Sequence, residues 1–388
     1  MRLLRRSQSI TGSGIERSTA PTLTPAQQRM YKDEKGTNFR LIARALQSTA
    51  PTTLTPSDVV PQDLVDEIKD IGQFVELSYS PIALDFAFEH IRTLTEAQFP
   101  LEGYEALFDA KLVSEFRSER AGVMVYLAYR EREKQLVVSF SGTVTLTQIY
   151  YDLSASLRSY PSSKGKSKCR VHSGFYNIYA SLAARVAKEI ADALGRYDVQ
   201  DLVVAGHSMG GALAYLLVLD LLKPGERVAP VVTLVTFGCP RVGDARLTEY
   251  WWGLKSVYEE KHGADAVREL TIRAHKDGVA ALPPLWTGYR HLCRIPLYFT
   301  HNTVFCIPES DRDFGLFNAI PPEGAVATEH PKGGHNYYNG RDMERGARRM
   351  ALLDTAVKAG KEGWEERYRV TVKRVEGGGS RMSFVWSS

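Results

Sequence analysis

Ser208 stands in Gly206-His207-Ser208-Met209-Gly210, a G-x-S-x-G pattern. In a chain with 31 glycines the pattern alone is not rare. Its flanks make it informative. The apolar run Leu202-Val203-Val204-Ala205 precedes it, and the helix-like run Gly211-Ala212-Leu213-Ala214-Tyr215-Leu216-Leu217 follows. A serine held in a tight strand-to-helix turn projects its hydroxyl above the sheet. Glycines two residues to either side let strand and helix approach without Cβ clashes. The helix N-terminus then offers free N–H groups to developing negative charge. The chemistry that suits this setting is nucleophilic attack by the serine.

A serine hydroxyl needs a base, and the base needs an acid to orient it. On a sheet of this kind the chain order is serine, acid, histidine. Asp277, in His275-Lys276-Asp277-Gly278-Val279, follows a strand-like run at residues 270–274. Ligand groups of open parallel sheets gather at the carboxyl ends of strands. Asp244, beyond the strand-like run 231–237, is the rival acid. Only His291, His301, His330 and His335 follow Asp277. His301 falls within a β-rich run and His291 within a basic-apolar stretch, whereas His330 and His335 share the loop before the last long helix. In Gly333-Gly334-His335-Asn336-Tyr337-Tyr338 the glycines ease the approach of His335, and His330 remains its rival. Met209 offers one oxyanion donor through its backbone N–H. Thr143, after Phe140-Ser141-Gly142, is expected to supply the second through its N–H, and its hydroxyl as well.

Bringing these groups together requires a sheet. Residues 123–129 and 135–140 read as strands of a hairpin around the charged turn Glu131-Arg132-Glu133-Lys134. Apolar runs at 202–205, 231–237 and 270–274 alternate with helical ones at 176–194 and 211–222. Strands apolar on both faces that alternate with helices predict a mostly parallel sheet covered by helices on both faces. Further expectations are a helical stretch over 26–46, a helix from 62 to 78, a helix-like piece over 105–116, a last strand over 298–307 and a helix over 342–358. Residues 364–388 read as a hairpin or loose tail. The division expected is an N-terminal arm over 1–60, partly disordered, a catalytic domain over 61–360 and an extension over 361–388.

Composition narrows the classes. The chain has 388 residues, with 49 Lys and Arg against 45 Asp and Glu, 44% hydrophobic and 24% charged. That is a globular composition and excludes a collagenous, coiled-coil or wholly disordered chain. A net charge of +4 is too small over this length to indicate a nucleic-acid partner, though it suits loose attraction to an anionic lipid surface. No window reads as a transmembrane helix. The four cysteines (169, 239, 293 and 306) form no CxxC pair and no dense disulfide framework, and no asparagine begins an N-x-S/T acceptor. These features lead to the expectation of a cytoplasmic protein, with membrane or lipid-droplet association allowed. The start of the chain has no apolar secretory core, but its Arg- and Ser-rich, acid-poor character is shared with mitochondrial presequences.

The ordered motifs resemble the class 3 (fungal-type) lipases of the α/β-hydrolase superfamily. Leu136-Val137-Val138-Ser139-Phe140-Ser141-Gly142-Thr143 is similar to that family's oxyanion strand, with Ser141 where the family usually has arginine. Tyr151-Asp152-Leu153, Val171-His172-Ser173-Gly174-Phe175 and Thr236-Phe237-Gly238-Cys239-Pro240-Arg241-Val242-Gly243-Asp244 resemble three further motifs. Asp277 with Val279 and Leu282-Pro283-Pro284 looks like its acid loop, and His335 with Tyr338 like its terminal HxxY. The resemblance spans about residues 65–345. It implies an α/β-hydrolase fold and hydrolysis of acylglycerol esters without metal or organic cofactor. Ser208, Asp277 and His335 are then the triad, and Asp244 a structural turn residue. The alternatives are a phospholipase A1, a soluble-ester (feruloyl-type) esterase, or a non-catalytic lipase-like scaffold.

The family also implies a lid. Leu146, Ile149, Tyr150, Leu153 and Leu157 fall on one face of a helix, and such a face could cover the serine or meet acyl chains. The same spacing suits an ordinary packed surface helix. The basic loop over 164–170 reads as a solvated loop, or one that touches anionic headgroups.

Overall fold

The computed structural model describes residues 23–34, 38–118, 121–142, 156–160, 169–225, 228–338, 340–360 and 362–377. Chain order begins with helices α1 (Pro25–Asp33) and α2 (Arg40–Leu46), strand β1 (Thr49–Leu54) and helices α3 (Gln62–Leu77), α4 (Leu84–Glu89) and α5 (Ile91–Leu94). Strands β2 (Ala110–Arg117), β3 (Met124–Arg130), β4 (Gln135–Phe140), β5 (Leu157–Ser159) and β6 (Arg170–His172) follow. Then come α6 (Ser173–Arg196), β7 (Asp201–His207), α7 (Met209–Leu221), β8 (Val231–Phe237), β9 (Gly243–Asp244), α8 (Ala245–His262) and β10 (Val267–Ala274). The chain continues through β11 (Tyr289–Arg290), β12 (Leu297–Thr300), β13 (Thr303–Cys306), β14 (Leu316–Ala319), α9 (Met343–Lys358) and α10 (Trp364–Gly377).

Eight strands form the central sheet in the order β13-β12-β10-β8-β7-β4-β3-β2. The run from β4 through β7, β8 and β10 to β12 is parallel, and the outer strands are antiparallel. Every residue of β3 and β4 is buried. Their side chains alternate between two cores, as the period of two along a strand requires. Leu136, Val138, Leu202 and Val204 enter the core under α6, α7 and α8. Val137, Val203 and Ala205 enter the opposite core with α3, α9 and α10. Burying each such side chain contributes about 2 kcal/mol. The expected mostly parallel sheet, covered on both faces, is therefore present.

Six expectations are corrected. The stretch 26–46 is two helices, because Asn38 and Phe39 adopt left-handed backbone conformations ahead of α2. Within the segment expected as an N-terminal arm, residues 49–54 form β1, which pairs in parallel with β14, and Leu54 is fully buried. Most of 105–116 is strand: β2 pairs with β3 along its length, and partners across the sheet outweigh a helix-like composition. The run 298–307 is a tight hairpin, β12 and β13, turning at His301 and Asn302, both with positive φ. The tail also differs, because α10 places Trp364, Tyr368 and Val372 in the core at helical spacing. Leu157 begins β5, paired with β6, and so does not continue a lid helix.

Candidate active site

The nucleophile turn is built from steric exclusions. Ser208 links β7 to α7 with φ 60° and ψ −130°, a region few L-residues adopt. Its N–H donates to the Phe237 carbonyl at 2.8 Å, and its own carbonyl accepts from Gly211 N–H at 3.0 Å. A Cβ on Gly206 would lie 2.3 Å from the Gly210 carbonyl carbon, and one on Gly210 would lie 2.3 Å from the Phe140 oxygen. The turn therefore closes only with glycine at both positions. Ser208 is fully buried, and α7 begins at Met209. The first N–H groups of a helix have no intrahelical acceptor, which leaves that of Met209 available to an oxyanion.

Asp277 follows β10 through Lys276, which turns the chain at φ 56°. The carboxylate is fully buried and well supplied with donors. His335 Nδ1 lies 3.0 Å from both oxygens, Tyr338 Oη donates to Oδ2 at 2.5 Å, and Val279 N–H donates to Oδ1 at 2.8 Å. Burial pulls this carboxyl upward, but the neighbouring His335 and the donated hydrogen bonds outweigh it and hold it below its usual range. A carboxylate only accepts, so Nδ1 of His335 carries a proton and Nε2 is free to receive one. Tyr338, pushed well above its ordinary range by burial and then by Asp277, stays a donor. Gly238, at φ 57°, closes the cage: its Cβ would sit 2.6 Å from Asp277 Oδ2 and 3.0 Å from His335 Cε1.

His207, next to Ser208 in the chain, links that turn to His335. Its ring lies 4.4 Å from that of His335, and its Nε2 donates to the His335 carbonyl at 2.9 Å. That carbonyl can only accept, so His207 Nδ1 accepts in turn from Tyr79 Oη at 2.8 Å. Tyr79 Oη accepts from Gly142 N–H at 2.8 Å. Burial, and then the charge of His335, push His207 down to about 3, so it remains neutral. This relay ties the loop after β4 to the backbone of His335. Among the described residues, neither Ser208 Oγ nor His335 Nε2 has a hydrogen-bond partner, and both are buried. The fold thus leaves both atoms uncommitted, and hydrogen bonds between such groups often tighten only with a ligand bound.

The rivals lie elsewhere. Asp244 caps α8 by accepting from Leu247 N–H and pairs with Arg170 at 3.1 Å. His330 stacks on Tyr337 at 4.5 Å, and His291 Nε2 meets the Ala280 carbonyl at 2.9 Å. His301 sits in the β12–β13 turn. Ser141 is anchored without an arginine: its N–H donates to the Met124 carbonyl, and its hydroxyl accepts from Met124 N–H, both at 2.9 Å. Thr143, Leu146, Ile149, Tyr150 and Leu153 lie outside the described residues, as does most of the basic loop. Gly142 comes next to Ser208, since its Cβ would lie 3.1 Å from the serine Cβ.

Sequence reasoning missed Tyr79, His207 and Arg241 as supports. Arg241 Nη1 donates to the carbonyls of Ala281 and Pro283, which fixes the acid loop from below. His207 and Arg241 sat inside quoted motifs, whereas nothing near Tyr79 in sequence marks it. Among the described residues no group of three or more His, Cys, Asp or Glu side chains could hold a metal ion. No described helix is long and apolar enough to cross a membrane.

Residues 137–286 match the family described as lipase (class 3). The chain is similar to Lipase A of Sodiomyces alcalophilus, 34% identical where they align, over 40% of this chain and 41% of that one. It is also similar to the secreted mono- and diacylglycerol lipase 1 of Fusarium solani, 28% identical over 44% of this chain and 46% of that one. The chain thus spans less than half the length of these curated relatives. Among solved structures it resembles the native Rhizomucor miehei lipase propeptide complex, with a TM-score of 0.56 and 21% identity, over 84% of this chain and 95% of that one. That likeness shows the fold, the α/β-hydrolase fold.

Proposed function

On the match of residues 137–286 to the class 3 lipase family, we propose that this protein is a serine carboxylester hydrolase acting on acylglycerols. The observation that carries the reading is the buried Asp277–His335–Tyr338 arrangement beside a strained, fully buried serine. In this reading Ser208 Oγ attacks the ester carbonyl carbon while His335 Nε2 takes its proton. Asp277 stabilises the imidazolium and holds the ring. Met209 N–H at the start of α7 and Thr143 donate hydrogen bonds to the oxyanion and stabilise its charge. His335 then gives its proton to the departing alcohol, and the acyl group remains on Ser208. Water, deprotonated by the same nitrogen, attacks the acyl carbon, and His335 then gives that proton to Ser208 Oγ as it departs, releasing the fatty acid. The relatives' names support an acylglycerol as the ester, and contact with a lipid surface is part of the proposal.

The test is hydrolysis of tri- and diacylglycerols, a phospholipid and a feruloyl ester by the wild type beside Ser208→Ala. The expected result is acylglycerol hydrolysis that falls ~10⁴-fold or more in the variant, with a fluorophosphonate adduct on Ser208 in the wild type only. Undiminished hydrolysis by Ser208→Ala would refute the assignment.

A further inference from the structure

Residues 38–47 lie far outside the family match, yet they touch both loops that carry the acid and the base. On the base loop, the Asn38 carbonyl accepts from His335 N–H at 3.2 Å, and Asn38 Oδ1 accepts from Asn336 N–H at 2.9 Å. Arg40 Nη1 donates to the Gly333 carbonyl at 3.0 Å. The Phe39 ring meets the His335 ring edge-on at 5.2 Å. On the acid loop, Gln47 Nε2 donates to the Asp277 carbonyl at 2.7 Å.

The catalytic loops are shaped to receive this segment. A Cβ on Gly334 would come within 2.9 Å of the Asn38 side chain. One on Gly278 would lie 2.3 Å from the Phe39 carbonyl oxygen and 2.7 Å from Ala43 N. Each loop therefore has glycine where the segment crosses it. The segment in turn holds two consecutive non-glycine residues, Asn38 and Phe39, at φ 49° and 58°. Such backbone conformations are unfavourable for non-glycine residues and persist only where surrounding contacts over-determine them. Asn38 is 2% exposed, so its hydrogen bonds are shielded from water.

We propose that residues 38–47 are a positioning strap for the Asp277–His335 pair, so that catalytic competence depends on a segment outside the matched core. The proposal rests on the reading of that pair as the acid and base of a triad. Asn38 fixes the backbone of the base and Gln47 that of the acid, which sets the separation between the two loops. Neither residue touches substrate or reacting atoms.

The test uses the full chain with Asn38→Gly, which keeps left-handed freedom but loses the side-chain acceptor, and Gln47→Leu, which loses only the donor. Hydrolysis of a soluble short-chain ester gives kcat and KM, thermal melting reports folding, and proton NMR follows the low-field Nδ1–H of His335, assigned by its loss in His335→Gln. Each single variant is expected to lower kcat about 10-fold with KM within about twofold, and the pair about 100-fold. The Nδ1–H signal should broaden or exchange faster in each. Variants with wild-type kcat and an unchanged signal would overturn the strap, as would variants with raised kcat, which would mark the segment as an obstruction. Should the double variant fail to fold, the singles decide. A wild type that hydrolyses no ester, or an active Ser208→Ala, removes the functional reading instead, and the NMR signal still tests the strap.

Discussion

A carboxylate as fully buried as Asp277 is stable only with donors around it. Here the donors are unequal in purpose. Val279 and Tyr338 satisfy the charge, and in the proposed reading His335 uses it. Tyr338 also accepts from Ala274 N–H at 3.1 Å, which ties the carboxylate to the end of β10. Tyr338→Phe removes a donor from the carboxylate and an acceptor from that N–H. We expect kcat to fall about 10-fold with KM little changed, a loss of roughly 1.4 kcal/mol that steady-state kinetics on a soluble ester would read. An unchanged kcat would mean that Val279 and His335 alone hold the acid.

At the scale of elements, glycine and proximity decide more than propensity. Gly210 permits α7 to start directly beneath the end of β4, with no room for a methyl group against the Phe140 carbonyl. Gly210→Ala is expected to cost about 1–3 kcal/mol by overpacking and to reduce fluorophosphonate labelling of Ser208, measured by thermal melting and mass spectrometry. A melt and labelling rate equal to wild type would show that the turn can relax. Elsewhere, His172 Nδ1 caps α6 by accepting from the N–H groups of Gly174 and Phe175. That role was invisible in the motif Val171-His172-Ser173, because histidine is not a usual capping residue. Helix α10 differs from the expected tail for another reason. Trp364, Tyr368 and Val372 are spaced for a helix, but only the waiting aromatic surface, with Phe99 stacked on Tyr368 at 5.2 Å, makes that spacing count.

For the molecule as a whole, buried histidines set the response to acid. Burial lowers His172 and His275 to about 4 and His207 to about 3, and takes His291 well below its ordinary range with help from Arg273 and Arg241. The unfolded chain takes up protons near pH 6.5 while the folded chain does not. Folded stability from these groups is therefore present above pH 6.5 and is lost as pH falls toward their folded values. At pH 5 His172, His275 and His207 each contribute a loss of about 2 kcal/mol, and His291 adds to it in the same direction, against the ~5–15 kcal/mol of a typical domain. We expect the melting temperature to drop steeply between pH 6.5 and 5. A flat profile across that window would contradict the burial of these rings as neutral species.

Ser208, Asp277 and His335 were legible as candidates because each sits where local rules converge. A serine between glycines at a strand-to-helix turn, an aspartate just past a strand and a histidine in a glycine loop obey constraints of a few neighbouring residues. The alternating apolar runs likewise determined a buried parallel sheet, since only strands covered on both faces need them. What the sequence left open was everything set by contact across long separations. The Tyr79–His207 relay spans 128 residues, the Gln47–Asp277 bond 230, and the Asn38–Asn336 bond 298. No periodicity encodes such pairs. They arise when the sheet brings its loops to one edge and buried polar groups there must find partners or bear the cost of having none, and that requirement exists only once the chain has folded.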